Sequence, residues 1–582
     1  MTPHPLTPRQ PVLLANAANT AVTAFVTIAL FMAMITILPP VAWIGHLDQT
    51  RDADVAFLVA LVREYVDGAL VRSDPLGSLS RLIGMPLALA SAMSSFGIGL
   101  SIGLRASAAL LAGVMIGAEV RRIVLAHAVA RPRVTHVKGL RLLTGKAAKR
   151  SLATAWAKRF GGRDPGIELA DGLAMPCALE AEHMLIVGGT GAGKTTILEK
   201  MMDGALERGD RLLALDIKGD VTARFPTEDF VLLGLGDPRS ASWLLGLDIV
   251  SPEDAAELAA EMIPETSDPS WSGGARQVLT AIIELLQYEA RRRGKVWSWR
   301  QLDRLLKKPI EELFAMLRER DPVAASLIDV EREETRRQAM SFYLVLTANA
   351  GQMAKAFAAM GNSSGAGVSI RRWVSGKGCR NLILRQSQRL PELSAAMCRI
   401  VLKIAADVAG STAPDAGSEP AAVWLFLDEL PQVGRSAAIP RLAAIGRSLG
   451  VRLVAAIQSP AQLKEIYGHD GSQHLLDNMT TKIVGRVAGG STASEISGTW
   501  IGDRTVSWRE DMSPGADGRI RFEQRTQDIP VVEPAFLADE LGLSSASVAK
   551  RKIRALVCGH GDVGLLSWPV GRWRQRRPAT GA

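Results

Sequence analysis

The sequence predicts an α/β nucleotide-binding motor that is interrupted by an all-helical segment and preceded by two membrane-spanning helices. Three observations predict this fold class. A glycine-rich loop lies between an apolar run and a helix-permissive run, residues 252–350 show helical spacing without strand-like runs, and two long uncharged stretches lie before residue 120. At 582 residues the chain has room for about three domains.

The glycine-rich loop lies within LIVGGTGAGKTT at residues 185–196 and has the phosphate-binding spacing G-x-x-x-x-G-K-[ST]. Glycines let successive backbone N–H groups surround a phosphate, and the N-terminus of the following helix adds partial positive charge. In such loops the lysine reaches the β/γ-phosphates of ATP and the threonine hydroxyl ligates Mg²⁺. The predicted nucleotide-binding residues are Gly188, Gly189, Thr190, Gly191, Ala192, Gly193, Lys194, Thr195 and Thr196.

An acidic pair follows a second apolar run, AAVWLFLDELPQVGR at 421–435. Magnesium-dependent NTPases need such a pair at the carboxyl edge of a parallel sheet, where one carboxylate holds the metal and its neighbour polarises the attacking water. We therefore assign Asp428 to magnesium, together with Thr195, and Glu429 to the general base.

Two more residues are candidates for the same chemistry. The run VRLVAAIQSPAQL at 451–463 predicts a strand that delivers Gln458 to the same edge of the sheet, where its amide would sense the γ-phosphate. Arg447 lies on the preceding predicted helix, too far along to share its own subunit's phosphate easily. It is either an arginine finger for a neighbour in a ring or a solvated helix charge.

The predicted helical segment contains RRRGKVWSWRQLDRLLKK at 291–308, with eight Lys/Arg around two tryptophans. Aromatic rings among phosphate-neutralising charges are typical of single-strand binding. The alternative is an amphipathic helix pair whose tryptophans belong to the core.

The apolar stretch at residues 21–44 carries no charge over 24 residues, enough to cross ~30 Å of hydrocarbon. A cleaved signal peptide would have a shorter apolar region of about 7–15 residues, so a retained helix is predicted. The second stretch, within residues 82–118, is interrupted by Arg105. One helix that ends near Arg105 and one that is shifted towards Ala118 both fit.

The charges around these stretches predict the topology. Residues 46–81 hold four Lys/Arg and six Asp/Glu, whereas residues 120–163 hold twelve Lys/Arg and no acid. The positive-inside rule therefore predicts two cytoplasmic termini and an external loop. The basic segment either lies on anionic headgroups or only sets the topology. The net charge of +9 indicates an acidic partner, either lipid or nucleic acid, and four widely spaced cysteines indicate reduced thiols.

Several segments together resemble the TraD-type coupling proteins of conjugative type IV secretion. They include GDRLLALDIKGD, GDPRSASW, MIPETSDPSWSGGARQVL and the long run from LDELPQVGR to LLDNMTTKI. The resemblance extends from the first membrane span to about residue 570. It implies a RecA-like ATPase motor with an inserted all-α domain, assembled as a homohexamer at the bacterial inner membrane. The implied partners are single-stranded DNA bound by a relaxase in the relaxosome, and the components of the secretion channel.

The resemblance also assigns positions. It implies that Lys194, Thr195, Asp428, Glu429, Gln458 and Arg447 occupy the family's nucleotide site, with ATP and Mg²⁺ as cofactors. The predicted organisation is a cytoplasmic N-terminus (1–20), a membrane helix (21–45), a periplasmic loop (46–81), a second membrane helix (82–118), a basic juxtamembrane segment (119–165), the motor (166–250 and 351–570), the all-α insertion (251–350) and a short basic tail (571–582).

The end of this sequence departs from one branch of the family. Members related to the F plasmid carry a long acidic tail that recruits the relaxosome, whereas this sequence ends in RWRQRRPATGA, so recruitment would fall to the all-α insertion. Two alternatives to a coupling protein are another membrane translocase of the FtsK/HerA group, for DNA or protein, and a scaffold that binds nucleotide without hydrolysing it. The paired spans and the similarity after Asp428 favour the coupling protein over the first, and Lys194 with Glu429 argues against the second.

Overall fold

The computed structural model describes residues 9–36, 99–128, 134–161, 164–361, 367–411, 422–511, 522–544, 551–571 and 573–581. The chain divides into two compact units. One comprises Met1–Thr135 with Ser507–Thr526, and the other comprises His136–Val506 with Gln527–Ala582.

Two long helices, α1 (Arg9–Thr36) and α2 (Gly99–Ala128), form most of what is described of the first unit. Each contains a stretch that is long and apolar enough, by length and composition, to cross a membrane: Ala15–Met34 and Gly103–Val124.

The two helices pack against each other in opposite directions. Near the end of α2, Nε of Arg121 donates to Oδ1 of Asn16 near the start of α1 (2.9 Å). Near the start of α2, Nη1 of Arg105 donates to the carbonyl of Met34 near the end of α1 (3.3 Å). The start of α1 and the end of α2 therefore lie at the same end of the pair.

The helix bounds differ from the predicted ones. The first helix begins before residue 21, and the second continues through Arg105 and past residue 118. Arginine does not end the helix because its long side chain can reach a carbonyl on the partner helix. The predicted loop at 46–81 lies within residues 37–98, which are outside the described part of the chain.

The second unit is built on an eleven-stranded mixed sheet. The described strands of the chain are β1 (Thr135–Gly139), β2 (Leu142–Thr144), β3 (Pro165–Ala170), β4 (Leu173–Pro176), β5 (Met184–Val187), β6 (Arg211–Asp216), β7 (Val231–Gly234), β8 (Ser242–Trp243), β9 (Gly367–Val368), β10 (Asn381–Arg385), β11 (Val423–Leu427), β12 (Val451–Ile457), β13 (Thr481–Val484), β14 (Asp503–Asp511), β15 (Phe522–Pro530), β16 (Gly542–Leu543), β17 (Lys552–Cys558) and β18 (Val563–Pro569).

The order of strands in the main sheet is β2-β18-β17-β13-β5-β12-β11-β6-β10-β7, with β16 beside β17. The strands from β13 to β7 run parallel to one another, and β17 joins β13 antiparallel. Smaller sheets pair β3 with β4 and β8 with β9, and a three-stranded sheet has the order β1-β14-β15. Since β5, β12 and β11 are parallel neighbours, the loops after their carboxyl ends meet at one edge.

The central strands are buried on both faces, which is why their sequences are continuous apolar runs. Alternate residues point to opposite faces, so Leu185 and Val187 belong to one hydrophobic cluster and Met184 and Ile186 to a second. The core of the unit is therefore two layers of side chains separated by the sheet.

Helices cover both faces. After the first unit, the described α-helices are α3 (Gly145–Phe160), α4 (Cys177–Glu180), α5 (Lys194–Arg208), α6 (Asp220–Arg224), α7 (Pro252–Met262), α8 (Pro269–Arg292), α9 (Trp299–Leu306), α10 (Ile310–Arg318), α11 (Pro322–Ser326), α12 (Glu333–Leu346), α13 (Gln352–Ala358), α14 (Ile370–Val374), α15 (Pro391–Ser411), α16 (Ala438–Ile445), α17 (Pro460–Asn478), α18 (Ser491–Glu495) and α19 (Pro534–Asp539). The shorter turns are 3₁₀ at Leu245–Leu247, Leu430–Val433 and Gly446–Leu449 and π at Thr347–Gly351 and Ile496–Ile501.

The helical segment α7–α13 contains no strand, and all of its residues are described. A capping box at Ser251 and Asp254 begins it. Its buried side chains, such as Leu279 and Ile282, belong to the same hydrophobic cluster as Leu185 on one face of the sheet. The segment thus shares one core with the motor instead of having a separate one.

Two boundaries of the second unit differ from the predicted ones. The predicted juxtamembrane segment (119–165) contains β2, which is paired with β18 in the main sheet, and α3, whose Leu152 and Trp156 are buried. The motor therefore begins before residue 166. The strand was missed because it is only three residues long and its partner lies more than 400 residues away.

The C-terminal residues also pack on the motor. Trp573 is buried, donates its indole N–H to Asp203 (2.6 Å) and contacts Phe225 edge-on. The backbone N–H of Arg576 donates to the carbonyl of Ala223 in α6 (2.9 Å). The described part of the predicted basic tail is thus an ordered segment of the second unit.

Candidate nucleotide-binding site

The glycine-rich loop connects β5 to α5 at the carboxyl edge of the sheet. Gly191 and Gly193 have positive φ angles of 75° and 90°. A Cβ at Gly193 would overlap the side chain of Ile553 on β17, so both the backbone angle and the space require glycine there. Because α5 begins at Lys194, the N–H groups of its first turn have no acceptor within the helix and are left for an anion.

Lys194 lies across this loop. Its Nζ donates to the carbonyl of Gly188 (2.7 Å) and is 3.7 Å from Oε2 of Glu429. Burial lowers the pKa of Lys194, while the nearby carboxylates of Glu429 and Asp428 raise it. A lysine held with so little water around it is suited to a negatively charged ligand.

The carboxylate of Asp428 faces the first turn of α5. The hydroxyl of Thr195 donates to Oδ2 of Asp428 (3.0 Å), although the two residues are 233 positions apart. Burial raises the pKa of Asp428, against the hydrogen bond from Thr195 and the charge of Lys194. One carboxylate and one hydroxyl are oxygen ligands of the kind Mg²⁺ takes from a protein when it keeps most of its water.

Glu429 has an uncommon backbone and an unsatisfied side chain. Its φ is 75°, in the left-handed region that non-glycine residues rarely adopt. Its Oε1 is buried and has no hydrogen-bond partner in the described chain. Strained backbone and an unpaired buried acceptor are costly, and they cluster where a site needs a side chain aimed at a ligand or a reacting water.

Gln458 directly follows β12, which lies between β5 and β11. Its side chain is exposed at the carboxyl edge, and its backbone N–H donates to Oε1 of Gln462 (2.9 Å). The structure therefore brings Gln458 to the edge that carries the glycine-rich loop and the acidic pair.

Arg447 lies elsewhere. It is in the 3₁₀ turn Gly446–Leu449, which precedes β12, so it stands at the amino edge of the sheet and not on the helix itself. The seven residues of β12 put about 20 Å between that edge and Gln458. Nη1 of Arg447 is 3.0 Å from Oε1 of Glu182, and the arginine side chain is 60% exposed. Arg447 thus lies far from the loop of its own chain.

Sequence reasoning missed residues that build this site from a distance. Ile553 packs over Gly193, and the carbonyl of Arg486 accepts from the N–H of Gly189 (2.7 Å). Nothing in their local sequence marks them, because the contacts depend on strand order. Asp216, at the end of β6, accepts three hydrogen bonds from Gly219 and Thr222, so its carboxylate belongs to a turn.

The basic segment at 291–308 does not form a stacking surface. Trp297 and Trp299 are 1% and 2% exposed. Trp299 packs edge-on against Phe357, with ring centroids 4.6 Å apart. The alternative in which these tryptophans belong to the core is the one that the structure shows.

Comparison with known proteins decides the family. Residues 168–551 match the type IV secretion-system coupling protein DNA-binding domain. The chain belongs to this family. The match covers the parallel strands of the main sheet from β13 to β7, the helical segment and the predicted nucleotide-binding residues, whereas β2, β17 and β18 lie outside it. It confirms the resemblance drawn from the sequence.

A curated relative of this coupling protein is the Coupling protein TraD of Escherichia coli (strain K12). It is 28% identical over 366 residues, which are 61% of this chain and 48% of TraD. The chain therefore matches about half the length of that relative.

Three solved structures of the plasmid coupling protein TrwB have the same fold, each at 22% identity. Unbound TrwBΔN70 has a TM-score of 0.59 and covers 78% of this chain and 97% of its own. The complex of TrwB with the ATP analogue ADPNP has a TM-score of 0.58 and covers 76% and 97%, respectively. The complex with ADP and Mg²⁺ has a TM-score of 0.57 and covers 78% and 98%. The predicted α/β P-loop fold is confirmed.

Proposed function

We propose that this coupling protein is a membrane-anchored ATPase that links a relaxosome to a type IV secretion channel and drives single-stranded DNA through it in conjugation. One observation carries the proposal. In a chain of this family, Lys194, Thr195, Asp428 and Glu429 lie around one glycine-rich loop, although the two pairs are far apart in sequence.

ATP and Mg²⁺ fit these residues, and TrwB has been solved in complex with the ATP analogue ADPNP and with ADP and Mg²⁺. The unpaired N–H groups at the start of α5 and the charge of Lys194 suit phosphates, and Thr195 with Asp428 suits the metal. Bound ATP supplies the phosphoryl group that water accepts, and Mg²⁺ neutralises charge on the phosphates.

The remaining steps belong to this chain's own side chains. Oε1 of Glu429, which is unpaired within the described part of the chain, takes the proton of the attacking water as general base. Gln458, exposed at the same edge, orients its amide towards the γ-phosphate. Lys194 holds the negative charge that develops as the terminal phosphate leaves.

Arg447 acts on a neighbouring subunit in a homohexameric ring. Its position at the amino edge, about 20 Å from Gln458, supports a role in trans over one at its own loop. An arginine finger of this kind contributes about 10³–10⁵ in rate. Closed rings with repeated head-to-tail contacts place one edge of each subunit beside the next.

Helices α1 and α2 anchor the ring to the bacterial inner membrane. The antiparallel packing of α1 and α2 supports placing both termini on one side, and the twelve Lys/Arg without an acid at 120–163 make that side the cytoplasm. Neither helix would be cleaved as a signal peptide.

The substrate is DNA held by a relaxase, which the helical segment α7–α13 recruits. The name of the matched domain and the net charge of +9 support a nucleic-acid partner. Since Trp297 and Trp299 are buried, the contact with DNA is made by charge and not by stacking on these rings.

The test replaces Lys194 with alanine in cells that depend on this protein for transfer. We expect ATP turnover and conjugative transfer to be lost, because Lys194 supplies the positive charge that the β/γ-phosphates of ATP need at this loop. The variant should still reach the membrane fraction, and Lys158→Ala, an exposed lysine on α3, should transfer DNA normally. Wild-type transfer by Lys194→Ala would contradict the proposal.

A further inference from the structure

His183, just before β5, is one of two non-glycine residues in the described chain with a positive φ, at 57°. The other is Glu429, in the candidate nucleotide-binding site. His183 lies at the opposite, amino edge of the sheet, where none of the phosphate-binding residues lies. A backbone held in this region indicates that the surroundings fix the residue for a reason other than local preference.

The imidazole of His183 supports the turn that carries Arg447. Nδ1 accepts the backbone N–H of Leu453 in β12 (3.1 Å). A Cβ at Gly446 would lie 3.3 Å from Cε1 of His183, so the ring lies against the residue that precedes Arg447. The ring thus contacts both the turn and the strand that follows it.

The side chain of Glu182 holds the arginine itself. This carboxylate is only 8% exposed, whereas the side chain of Arg447 is 60% exposed. Oε2 of Glu182 accepts from the hydroxyl of Thr480 (3.0 Å) and is 3.3 Å from Nη2 of Arg159. Oε1 accepts from Nη1 of Arg447 (3.0 Å). The carboxylate is therefore fixed from one side and holds an exposed guanidinium on the other.

Among the described residues, only Nη1 of the Arg447 side chain donates a hydrogen bond. The N–H groups of Nε and Nη2 can therefore donate to another group. An arginine side chain loses considerable rotamer freedom when it is fixed. A buried carboxylate that fixes it in advance reduces the loss when a transition state binds, which is how preorganised groups accelerate reactions.

We propose that Glu182 and His183 form an arginine seat that presents Arg447 to the nucleotide site of the neighbouring subunit. The inference rests on the proposed ring with Arg447 acting in trans. Glu182 and His183 are positioning residues in it, since they act through Arg447 and touch no nucleotide.

The main test is Glu182→Gln in the full-length protein, which keeps the side-chain shape and removes the charge. We expect DNA-stimulated ATP turnover to fall about 10- to 100-fold, since a misplacement of about 1 Å can cost about 100-fold. The KM for ATP should not change. The double variant Glu182→Gln/Arg447→Ala should be no slower than Arg447→Ala alone, because both changes remove the same function.

Mixed rings separate positioning from general damage. Glu182→Gln subunits keep their own ATP site, so mixing them with Lys194→Ala subunits, which keep the arginine seat, should restore part of the turnover. Mixing them with Arg447→Ala subunits should restore none. Failure of the first mixture, with co-assembly shown by differently tagged subunits, would overturn the seat.

Further variants guard against misfolding. Arg159→Gln is a graded variant, because Arg159 contacts the same carboxylate but not Arg447. Because Arg159 helps to fix the carboxylate, Arg159→Gln should lower turnover less than Glu182→Gln does, whereas Lys158→Ala, at an exposed neighbour on the same helix, should keep turnover near that of the wild type. His183→Gly removes the ring without straining the backbone and should lower turnover with unchanged KM, even if Glu182→Gln lowers the melting temperature.

The outcomes distinguish the seat from the proposed function. If Arg447→Ala turns over ATP at the wild-type rate, the ring arrangement itself is wrong. If Arg447→Ala is slow but Glu182→Gln and His183→Gly are as fast as the wild type, only the seat is wrong. Faster turnover by Glu182→Gln would show that Glu182 restrains Arg447 and does not present it.

Discussion

The two edges of the parallel sheet hold their charged groups in opposite ways. At the carboxyl edge, Lys194 and Glu429 are 10% and 16% exposed, and Oε1 of Glu429 has no hydrogen-bond partner among the described residues. At the amino edge, Arg447 is 60% exposed and rests on a buried carboxylate whose other oxygen is already paired. The carboxyl edge is built to receive a small anionic ligand, whereas the amino edge is built to offer a cation outward.

This difference underlies our proposal that one chain does not complete its own site. The buried cluster at the carboxyl edge contains an unpaired acceptor that a ligand could satisfy. The exposed Arg447 is held by a fixed carboxylate and has donors available for a group on another surface. The length of β12 separates the two, so in our account they complete each other only between subunits.

Among single substitutions at the carboxyl edge, Glu429→Gln should cause the largest loss of ATP hydrolysis apart from Lys194→Ala. The amide keeps the shape of the side chain but cannot take a proton, so hydrolysis should fall by about 10²–10⁴. ATP should still bind, and rings loaded with ATP should accumulate. Binding of a fluorescent ATP analogue and phosphate release measure the two effects separately. Hydrolysis near the wild-type rate would mean that another residue is the base.

A smaller effect, confined to the same edge, is expected from Gly193→Ala. The new Cβ meets Ile553, and alanine at a φ of 90° is strained, which together cost about 1–3 kcal/mol of folding or binding free energy. Nucleotide affinity should fall. The matched control is Gly189→Ala in the same loop, where the nearest atom to the new Cβ is 3.6 Å away. Equal affinities for the two variants would show that the loop moves freely.

The proposed roles of the two sheet edges also require both edges to lie on the cytoplasmic side of the membrane, where ATP is found. The charge distribution predicts that reporter fusions within 46–81 report periplasm and that those beyond about residue 120 report cytoplasm. Alkaline phosphatase and a fluorescent protein, fused at the same positions, give opposite readouts. A fusion at residue 60 that reports cytoplasm would overturn the topology.

The carboxyl edge could be predicted from sequence because its signals are local. Spacing alone identifies Lys194 and Thr195, and the acids that follow an apolar strand identify Asp428 and Glu429. These features do not depend on strand order, because every parallel strand delivers its following loop to the same edge. The all-helical segment was likewise visible from its periodicity.

The amino edge could not be predicted in this way. Glu182 and His183 look like ordinary loop residues, and their role depends on which strands are neighbours. The same holds for β2, which is three residues long, and for Ile553 over the glycine-rich loop. Periodicity could not settle whether Trp297 and Trp299 were core or surface, because both positions fit an amphipathic helix pair.

The central claim is that the two edges of one sheet belong to two different nucleotide sites, and mixing Lys194→Ala with Arg447→Ala tests it most directly. One variant keeps the arginine and the other keeps the lysine. In a randomly mixed ring at a 1:1 ratio, about a quarter of the interfaces would then be complete. DNA-stimulated ATPase activity should therefore rise to a maximum at intermediate ratios. A flat response at the level of the separate variants, with co-assembly demonstrated, would contradict the account.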